Sequence, residues 1–480
     1  MNRSIVRYIL CKVLEFEALF LLIPCFFAIY YQEVEGIVYF VLACVALLIG
    51  CMGTLNKPKS DVFYAREGFV TVALSWILLG IFGAIPFCLT GEIPNFVDAL
   101  FETISGFTTT GATILTDVEV ISHCSLFWRS FTHWIGGMGV LVFILAFTPM
   151  AGGYNIHLMR AESPGPSVGK LVPKIKQTSK ILYAIYTALT VIEMILLIIS
   201  GMPVFDSITL SMGTAGTGGF GVLNSSIGSY SMVSQGIITV FMILFGVNFT
   251  VYYLLLLKKF KPALLCEEVR WYLIIILSSA ALITINIKGY YKTIFECFHH
   301  AIFQVASVIT TTGYSTADFD TWPTFSKTIM VTIMFCGACA GSTGGGLKVS
   351  RIMIYVRHVK NELNYALHPN QVKKLELEGK ALDTSTIRST MSYLSAFLLL
   401  FVVSTLIVSL DGFDPATTFT AIVATINNIG PGLGKVGPTG NFSEFSILSK
   451  LVMTMDMLIG RLEVFPILIL FNPNTWRKGK

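Results

Sequence analysis

Four glycines stand at the ends of four short apolar stretches: Gly111 in SGFTTTGAT, Gly219 in GTAGTGGFG, Gly313 in SVITTTGYS and Gly430 in ATINNIGPG. Six residues before each lies a small residue, namely Ser105, Gly213, Ser307 and Ala424. Polar residues crowd the three positions ahead of each glycine: Thr108, Thr109 and Thr110; Thr217; Thr310, Thr311 and Thr312; Asn427 and Asn428. Thirteen residues before the glycines stand Asp98, Asp206, His300 and Thr417, near where each stretch begins. Of these, Asp98 and Asp206 are suited to cap a helix N-terminus. The chemistry such turns offer belongs to the backbone. Four of them around one axis can present carbonyl oxygens to a dehydrated cation and replace its hydration shell. Glycine allows a carbonyl to face the axis without a Cβ clash. Taken singly, each glycine reads as a helix C-cap; four in register read as one device. The expected ligand segments are Thr110–Gly111, Gly218–Gly219, Thr312–Gly313 and Ile429–Gly430. In the second, the spacing from Asp206 selects Gly219, and a slip of one residue stays open.

Such turns need scaffolding at membrane depth, and the composition supplies it. Hydrophobic residues make up 54% of the chain and charged residues 13%, against roughly 25% charged in soluble domains; the mean hydropathy is +0.73. Apolar runs long enough to span a bilayer occur near 13–30, 37–54, 69–90, 126–149, 182–201, 235–257, 271–287, 327–357, 390–410 and 447–471. Shorter semi-apolar stretches near 95–109, 204–216, 293–311 and 414–428 cannot cross and read as re-entrant half-helices, which are tolerated where they line a cavity. A second glycine follows each turn glycine by 26 to 32 residues, inside the next run: Gly137, Gly246, Gly345 and Gly460. The expected architecture is an all-α polytopic membrane protein. An N-terminal two-helix hairpin (1–67) precedes four pseudo-repeated helix–pore loop–helix units (68–165, 166–262, 263–385 with a cytoplasmic segment, and 386–480).

Basic residues set the orientation. They gather at Arg3, Arg7 and Lys12, at Lys57, Lys59 and Arg66, at Arg160, Lys170, Lys174, Lys176 and Lys180, at Lys258, Lys259, Lys261 and Arg270, between Lys348 and Lys380, and at Arg477, Lys478 and Lys480. The connections carrying the half-helices are poorer in base and hold Glu92, Asp98, Asp117, Glu119, Asp318, Asp320 and Asp414. Both termini are therefore expected in the cytoplasm, with the half-helices dipping in from outside. The charged segment 358–385 is read as a partner-docking surface or a solvated linker helix. Ten cysteines scatter through apolar runs and behave as small hydrophobes, Cys336-x-x-Cys339 included.

Two further features sit in the runs below the turns. Ala338–Lys348 (ACAGSTGGGLK) places Gly341, Gly344, Gly345 and Gly346 beside Ser342 and Thr343 and ends on Lys348. Such a run holds a regular helix poorly and is expected to form a break or loop. Arg461 lies inside the last run, where a charge is costly and faces a cavity or a partner. Glu463, two residues on, points to another face and is a poor partner for it. The glycine run GSTGGGLK fails the P-loop pattern at Leu347 and Val349, and no metal-ligand cluster, nucleophile–base pair or nucleic-acid-binding pattern accompanies it, so no enzyme is expected.

The turns TTTGAT, TGGFG, TTTGY and NNIGPG, with AGSTGGGLK and IGRLE, resemble the Trk/Ktr/HKT superfamily of potassium transporters. The two helices before the repeats resemble its bacterial TrkH branch. That resemblance implies potassium, bound as cargo by filter carbonyls, with no organic cofactor, in a bacterial inner membrane. It implies that the 338–348 segment is an intramembrane loop obstructing conduction, and that Arg461 is a pore-facing electrostatic barrier. A Ser at the first filter glycine goes with sodium transport in the plant branch; Gly111 favours potassium. The family works as a homodimer with a cytoplasmic nucleotide-binding regulatory ring of the TrkA kind. Passive conduction and sodium- or proton-coupled symport both fit; inverted-repeat transport does not, because all four units run in the same direction.

Overall fold

The computed structural model describes residues 1–56, 58, 63–139, 175–369 and 374–477. Lys57, Lys59, Arg160, Lys170, Lys174, Lys373, Lys478, Lys480 and the end of the 126–149 run lie outside the described residues. Helices α1 (Arg3–Tyr31) and α2 (Glu35–Thr54) form a hairpin. Then come α3 (Ala65–Thr90), α4 (Phe96–Phe107) and α5 (His123–Gly137), followed by α6 (Ile175–Ile199), α7 (Val204–Gly216), α8 (Met232–Phe245), α9 (Phe249–Leu256) and α10 (Phe260–Leu264). Next are α11 (Glu267–Asn286), α12 (Ile294–Ile309), α13 (Thr324–Cys336) and α14 (Val349–Leu367). Two-residue antiparallel strands, β1 (Glu376–Leu377) and β2 (Lys380–Ala381), precede α15 (Thr384–Val408), α16 (Pro415–Ile426), α17 (Ile447–Arg461), α18 (Phe465–Phe471) and α19 (Pro473–Trp476).

Among the described residues, six helices are long and apolar enough to cross a membrane: α1, α2, α3, α6, α11 and α15. Their outward faces carry large apolar side chains, as lipid requires; Ile29, Leu48, Leu277 and Leu399 are all exposed. The expected half-helices are present as α4, α7, α12 and α16, of 12, 13, 16 and 12 residues. At about 1.5 Å per residue they reach at most about 24 Å, short of the roughly 30 Å hydrocarbon core. Each packs beside the helices before and after it in the chain, and the α1–α2 hairpin lies against α3 and α5.

Of the runs after the half-helices, the second and fourth differ from the single spans expected of them, and the third breaks where its glycine run leads one to expect. The second is two helices, α8 and α9, bent by 88°. The third is α13 and α14, separated by residues 337–348. The fourth is α17 and α18, separated at Glu463 and Val464, both at positive φ (59° and 68°). The first ends as helix at Gly137, and its continuation lies outside the described residues. Local chemistry explains the breaks. The Asn248 side chain accepts from the Thr250 N–H (2.9 Å), capping a new helix rather than continuing the old one. Pro466 at the start of α18 cannot donate to a continuous ladder, and its ring would clash with the carbonyl of Leu462. Apolar composition marks these segments as buried at membrane depth; it does not reveal that they are interrupted there.

The capping expectation is also corrected. Asp98 and Asp206 lie in the first turns of α4 and α7, whose caps are Asn95 and Pro203. Asp98 pairs with Lys450 (2.6 Å) and Asp206 accepts from the Tyr230 hydroxyl (2.8 Å). Thr293 caps α12 and Asp414 caps α16.

Candidate functional site

All four half-helices end in the same backbone motif. A residue in the left-handed region follows each helix: Thr109 (φ 56°), Thr217 (φ 56°), Thr311 (φ 59°) and Asn428 (φ 56°). Its N–H bonds the carbonyl three residues back, at Gly106, Thr214, Val308 and Thr425 (3.0–3.2 Å). The next N–H bonds five residues back: Thr110 to Ser105 (2.9 Å), Gly218 to Gly213 (2.8 Å), Thr312 to Ser307 (2.8 Å) and Ile429 to Ala424 (2.9 Å). These paired bonds are a Schellman termination. They explain the recurring small residue six before each glycine, which is where the chain folds back: a Cβ on Gly213 would meet the Tyr314 hydroxyl. The residue after that carries positive φ again: Gly111 (77°), Gly219 (82°), Gly313 (87°) and Gly430 (95°). Gly219, not Gly218, is thus the counterpart of the other three.

The four turns close into a ring. A Cβ on Gly111 would run into the Gly218 carbonyl oxygen, one on Gly219 into that of Thr312, and one on Gly313 into that of Ile429. One on Gly430 would lie 2.8 Å from the carbonyl oxygen of Thr110, which completes the circle. Each glycine is needed twice, for its φ and for the space its neighbour's carbonyl occupies. A cavity of about 150 Å³ lies against Gly111, Gly219, Gly313 and Gly430. Hydroxyl pairs brace the first and third turns, Thr108 with Thr110 and Thr310 with Thr312 (both 2.8 Å). In the fourth, the Asn428 amide donates to Thr110 Oγ1 (3.0 Å) and to the Met457 carbonyl (2.8 Å).

The glycine-rich segment Gly337–Lys348 forms the expected loop and lies against the half-helix ends on the far side of the turns. The Gly345 N–H donates to Thr311 Oγ1 (2.6 Å), and a Cβ on Gly344 would lie 2.8 Å from the Thr310 carbonyl oxygen. A Cβ on Gly345 would lie 2.5 Å from the carbonyl oxygen of Asn427. The loop also bonds the α8–α9 break: Cys339 N–H to the Gly246 carbonyl (3.1 Å), Phe249 N–H to that of Gly341 (3.1 Å), and Thr343 Oγ1 to that of Phe245 (3.3 Å). Ser342 Oγ turns back to the Cys339 carbonyl (2.6 Å), Gly341 and Gly346 take positive φ (73° and 72°), and the buried Lys348 ammonium donates to the Gly344 carbonyl.

Arg461 reaches the loop from α17. Its guanidinium donates to the Thr343 carbonyl (2.8 Å), to that of Gly137 (2.8 Å) and to that of Gly136. Glu463 turns away and pairs with Arg351 (2.5 Å), as their places on the chain lead one to expect. The structure therefore brings the four turns, the loop 341–348 and Arg461 into one assembly, the ring with the loop and Arg461 against it. Asn248 caps α9 beside Gly341. His133 bridges two turns, between the Gly106 carbonyl (2.8 Å) and the Phe220 N–H (3.3 Å). Asp456 stands apart, accepting from Ser404 (2.8 Å) between α15 and α17.

One buried pair escaped the sequence reading. Glu102 of α4 and Arg129 of α5 meet at 2.8 Å, with side chains 0% and 2% exposed. Glu102 also accepts from the Ile114 N–H (3.0 Å) and the Thr113 hydroxyl (3.0 Å), just beyond the first turn. Arg129 reaches the Gly221 carbonyl (3.4 Å), just beyond the second. The available signal was a charge inside each of two apolar stretches, which at membrane depth asks for a partner.

The family model for TrkH, described as a cation transport protein, matches residues 37–478. The chain is 37% identical over 484 residues to the Trk system potassium uptake protein TrkH of Salmonella typhimurium, covering 99% of each. It is 32% identical to the Trk system potassium uptake protein TrkG of Escherichia coli (strain K12), covering 99% of this chain and 100% of the relative. The crystal structure of the potassium transporter TrkH from Vibrio parahaemolyticus superposes with a TM-score of 0.88 at 31% identity, over 99% of this chain and 100% of that one.

Proposed function

We propose, for a chain that belongs to the TrkH family of cation transport proteins, that it takes up potassium ions across a bacterial inner membrane through a pore on the axis of the four turns. The observation that carries this reading is the closed ring in which each turn glycine abuts the carbonyl of the next turn. Carbonyls of Thr110, Gly111, Gly218, Gly219, Thr312, Gly313, Ile429 and Gly430 replace the water that a potassium ion sheds. The half-helices point their partly negative C-terminal ends at the ion's path and favour a cation there. The names of the relatives, potassium uptake proteins, supply the ion.

The loop Gly341–Lys348 is the gate in this reading. It lies against the ends of α12 and α16, where an ion leaving the ring must pass, and Arg461 holds it there while adding a positive charge to the path. The orientation follows from the basic residues: both termini are cytoplasmic, and the ring opens outward. A second copy of the chain and a cytoplasmic nucleotide-binding subunit complete the system, the latter acting on the gate from the basic side.

The test is rubidium-86 uptake into proteoliposomes of the purified chain, with potassium or sodium as competitor. Potassium is expected to abolish uptake and equal sodium to leave it. Uptake equally sensitive to both ions, or absent from both the wild type and Arg461→Ala, would sink the proposal.

A further inference from the structure

We infer that Glu268 is the latch that holds the glycine-rich loop closed, an inference that rests on reading that loop as the gate. Glu268 lies in the first turn of α11 and is 5% exposed. A single oxygen, Oε1, accepts two backbone amides: Ala340 N–H (2.7 Å) at the start of the loop and Ser350 N–H (3.1 Å) at its end. These amides stand ten residues apart, with the whole glycine run between them. Ser350 is in the first turn of α14, where a helix has amides with no partner of its own. An acceptor from a neighbouring helix is thus built into both ends of the loop, and its oxygen sits at the partly positive end of α14.

The consequence is mechanical. Four of the six residues at 341–346 are glycine, so the loop has few side chains with which to fix its own path. Within the loop its position is set by the Gly345 N–H on Thr311, the Phe249 N–H on the Gly341 carbonyl, the Thr343 hydroxyl on the Phe245 carbonyl and Arg461 at Thr343; Glu268 adds a shared anchor at its two ends. Opening that carries Ala340 away from Ser350 breaks a bond to Glu268, so the carboxylate biases the equilibrium toward closure. Glu267 beside it faces the other way, pairing with Arg357 of α14 and accepting from the Glu378 N–H (3.4 Å) of the β1–β2 hairpin. The end of α11 therefore joins the loop to the cytoplasmic hairpin. Glu268 is a positioning residue: it touches the loop and takes no part in binding the ion.

The test compares wild type, Glu268→Ala, Glu268→Gln and Gly345→Ala in the rubidium-86 assay, without any partner subunit. Glu268→Ala leaves the buried Ser350 amide and the half-buried Ala340 amide without this acceptor in the closed state and is expected to raise uptake about tenfold or more. Potassium-over-sodium preference should stay as in the wild type. Glu268→Gln, whose amide oxygen still accepts, should fall close to the wild type. Gly345→Ala tests the gate reading independently, because its Cβ would press on the Asn427 carbonyl and disfavour the closed position. If Gly345→Ala leaks and Glu268→Ala does not, the latch falls and the gate stands. If neither leaks, the gate reading falls and the latch with it. A Gln variant as leaky as Ala overturns the hydrogen-bonded latch. Should Glu268→Ala fail to fold, Glu268→Asp, one methylene too short to reach both amides, must leak for the inference to hold.

Discussion

Replacing Arg461 tests the gate most directly, and the structure supplies its expected magnitude. Among the described residues the guanidinium bonds the carbonyls of Thr343, Gly136 and Gly137, but these bonds do not count equally. Those to Gly136 and Gly137 join α17 to the end of α5 and persist whether or not the loop moves. Of these three, the bond to the Thr343 carbonyl (2.8 Å) is the one lost when the loop leaves. An equilibrium shifts only by the interactions that differ between its two states. A hydrogen bond from a charged donor is worth about 1.5–3 kcal/mol. At tenfold per 1.4 kcal/mol, Arg461→Ala should raise the open-to-closed ratio by roughly 10- to 100-fold. Rubidium-86 uptake should rise by a comparable factor where the closed state dominates, and removal of the positive charge acts in the same direction. Arg461→Lys separates the two effects. It keeps the charge but cannot reach Thr343 and the α5 carbonyls with a planar fork, so it should leak, though less than Ala. A folded Arg461→Ala protein with uptake equal to or below the wild type would refute the argument.

Gly111→Ser should lower the potassium-to-sodium permeability ratio. A side chain at φ 77° costs about 1–2 kcal/mol and displaces the Gly218 carbonyl, which is enough for roughly a tenfold loss of discrimination; an unchanged ratio in reversal-potential measurements would count against the filter assignment. Arg129→Met leaves Glu102 buried and unpaired, at a cost of about 3–5 kcal/mol. Its melting temperature should fall well below that of the double variant Glu102→Gln/Arg129→Met, and equal falls would mean that the pair is not what holds α4 to α5. Asp414 predicts a pH effect. Hydrogen bonds from the Thr417 hydroxyl and N–H hold its carboxyl below the usual range. A folded-state pKa under the unfolded value of about 3.9 gives stability that is present above that pH and lost as pH falls through the folded value. Asp414→Asn keeps the helix cap and should flatten the fall in melting temperature below about pH 4; the same slope in both proteins would exclude Asp414 as its source.

Half-helices and turns were legible in the sequence because each is written in nearest neighbours. A stretch too short to cross and too apolar for a loop has few other places in a membrane protein, and α4, α7, α12 and α16 lie within a few residues of their expected ranges. The recurrence of glycine with a small residue six before it records a local event, the Schellman termination, whose bonds span only a few residues. The breaks in the closing helices were legible only where glycine accumulates, at 341–346. At Val247–Asn248 and Glu463–Val464 the composition is that of an ordinary span, and the break depends on a side-chain cap in one case and a proline two residues later in the other. Caps were misassigned because acidic residues are equally at home in the first turn, where the helix end attracts them without a hydrogen bond. Glu102 with Arg129, and Glu268 with Ala340, are contacts between residues 27 and 72 positions apart. No local pattern records those pairings.

The four turns also differ from one another, in a way that bears on how the ring is held. Three place a threonine in the left-handed region, a conformation that β-branched residues resist at about 1–2 kcal/mol each. Such strain persists only where surrounding contacts over-determine it. In the first and third turns a hydroxyl pair across the strained residue provides part of that restraint. The second has glycines on both sides of Thr217, and His133 packs against it from α5. The fourth uses Asn428, which tolerates positive φ more readily and spends its side chain elsewhere, on Thr110 and on the Met457 carbonyl of α17. That amide is a side-chain bond from the last turn to the first, and it is anchored to the helix that carries Arg461. Asn428 therefore links the ring to the helix that carries Arg461: movement of α17 at Met457 reaches the first turn through one side chain, while the second turn is held by His133 of α5 and the third by its own hydroxyl pair and by the loop's Gly345 N–H on Thr311.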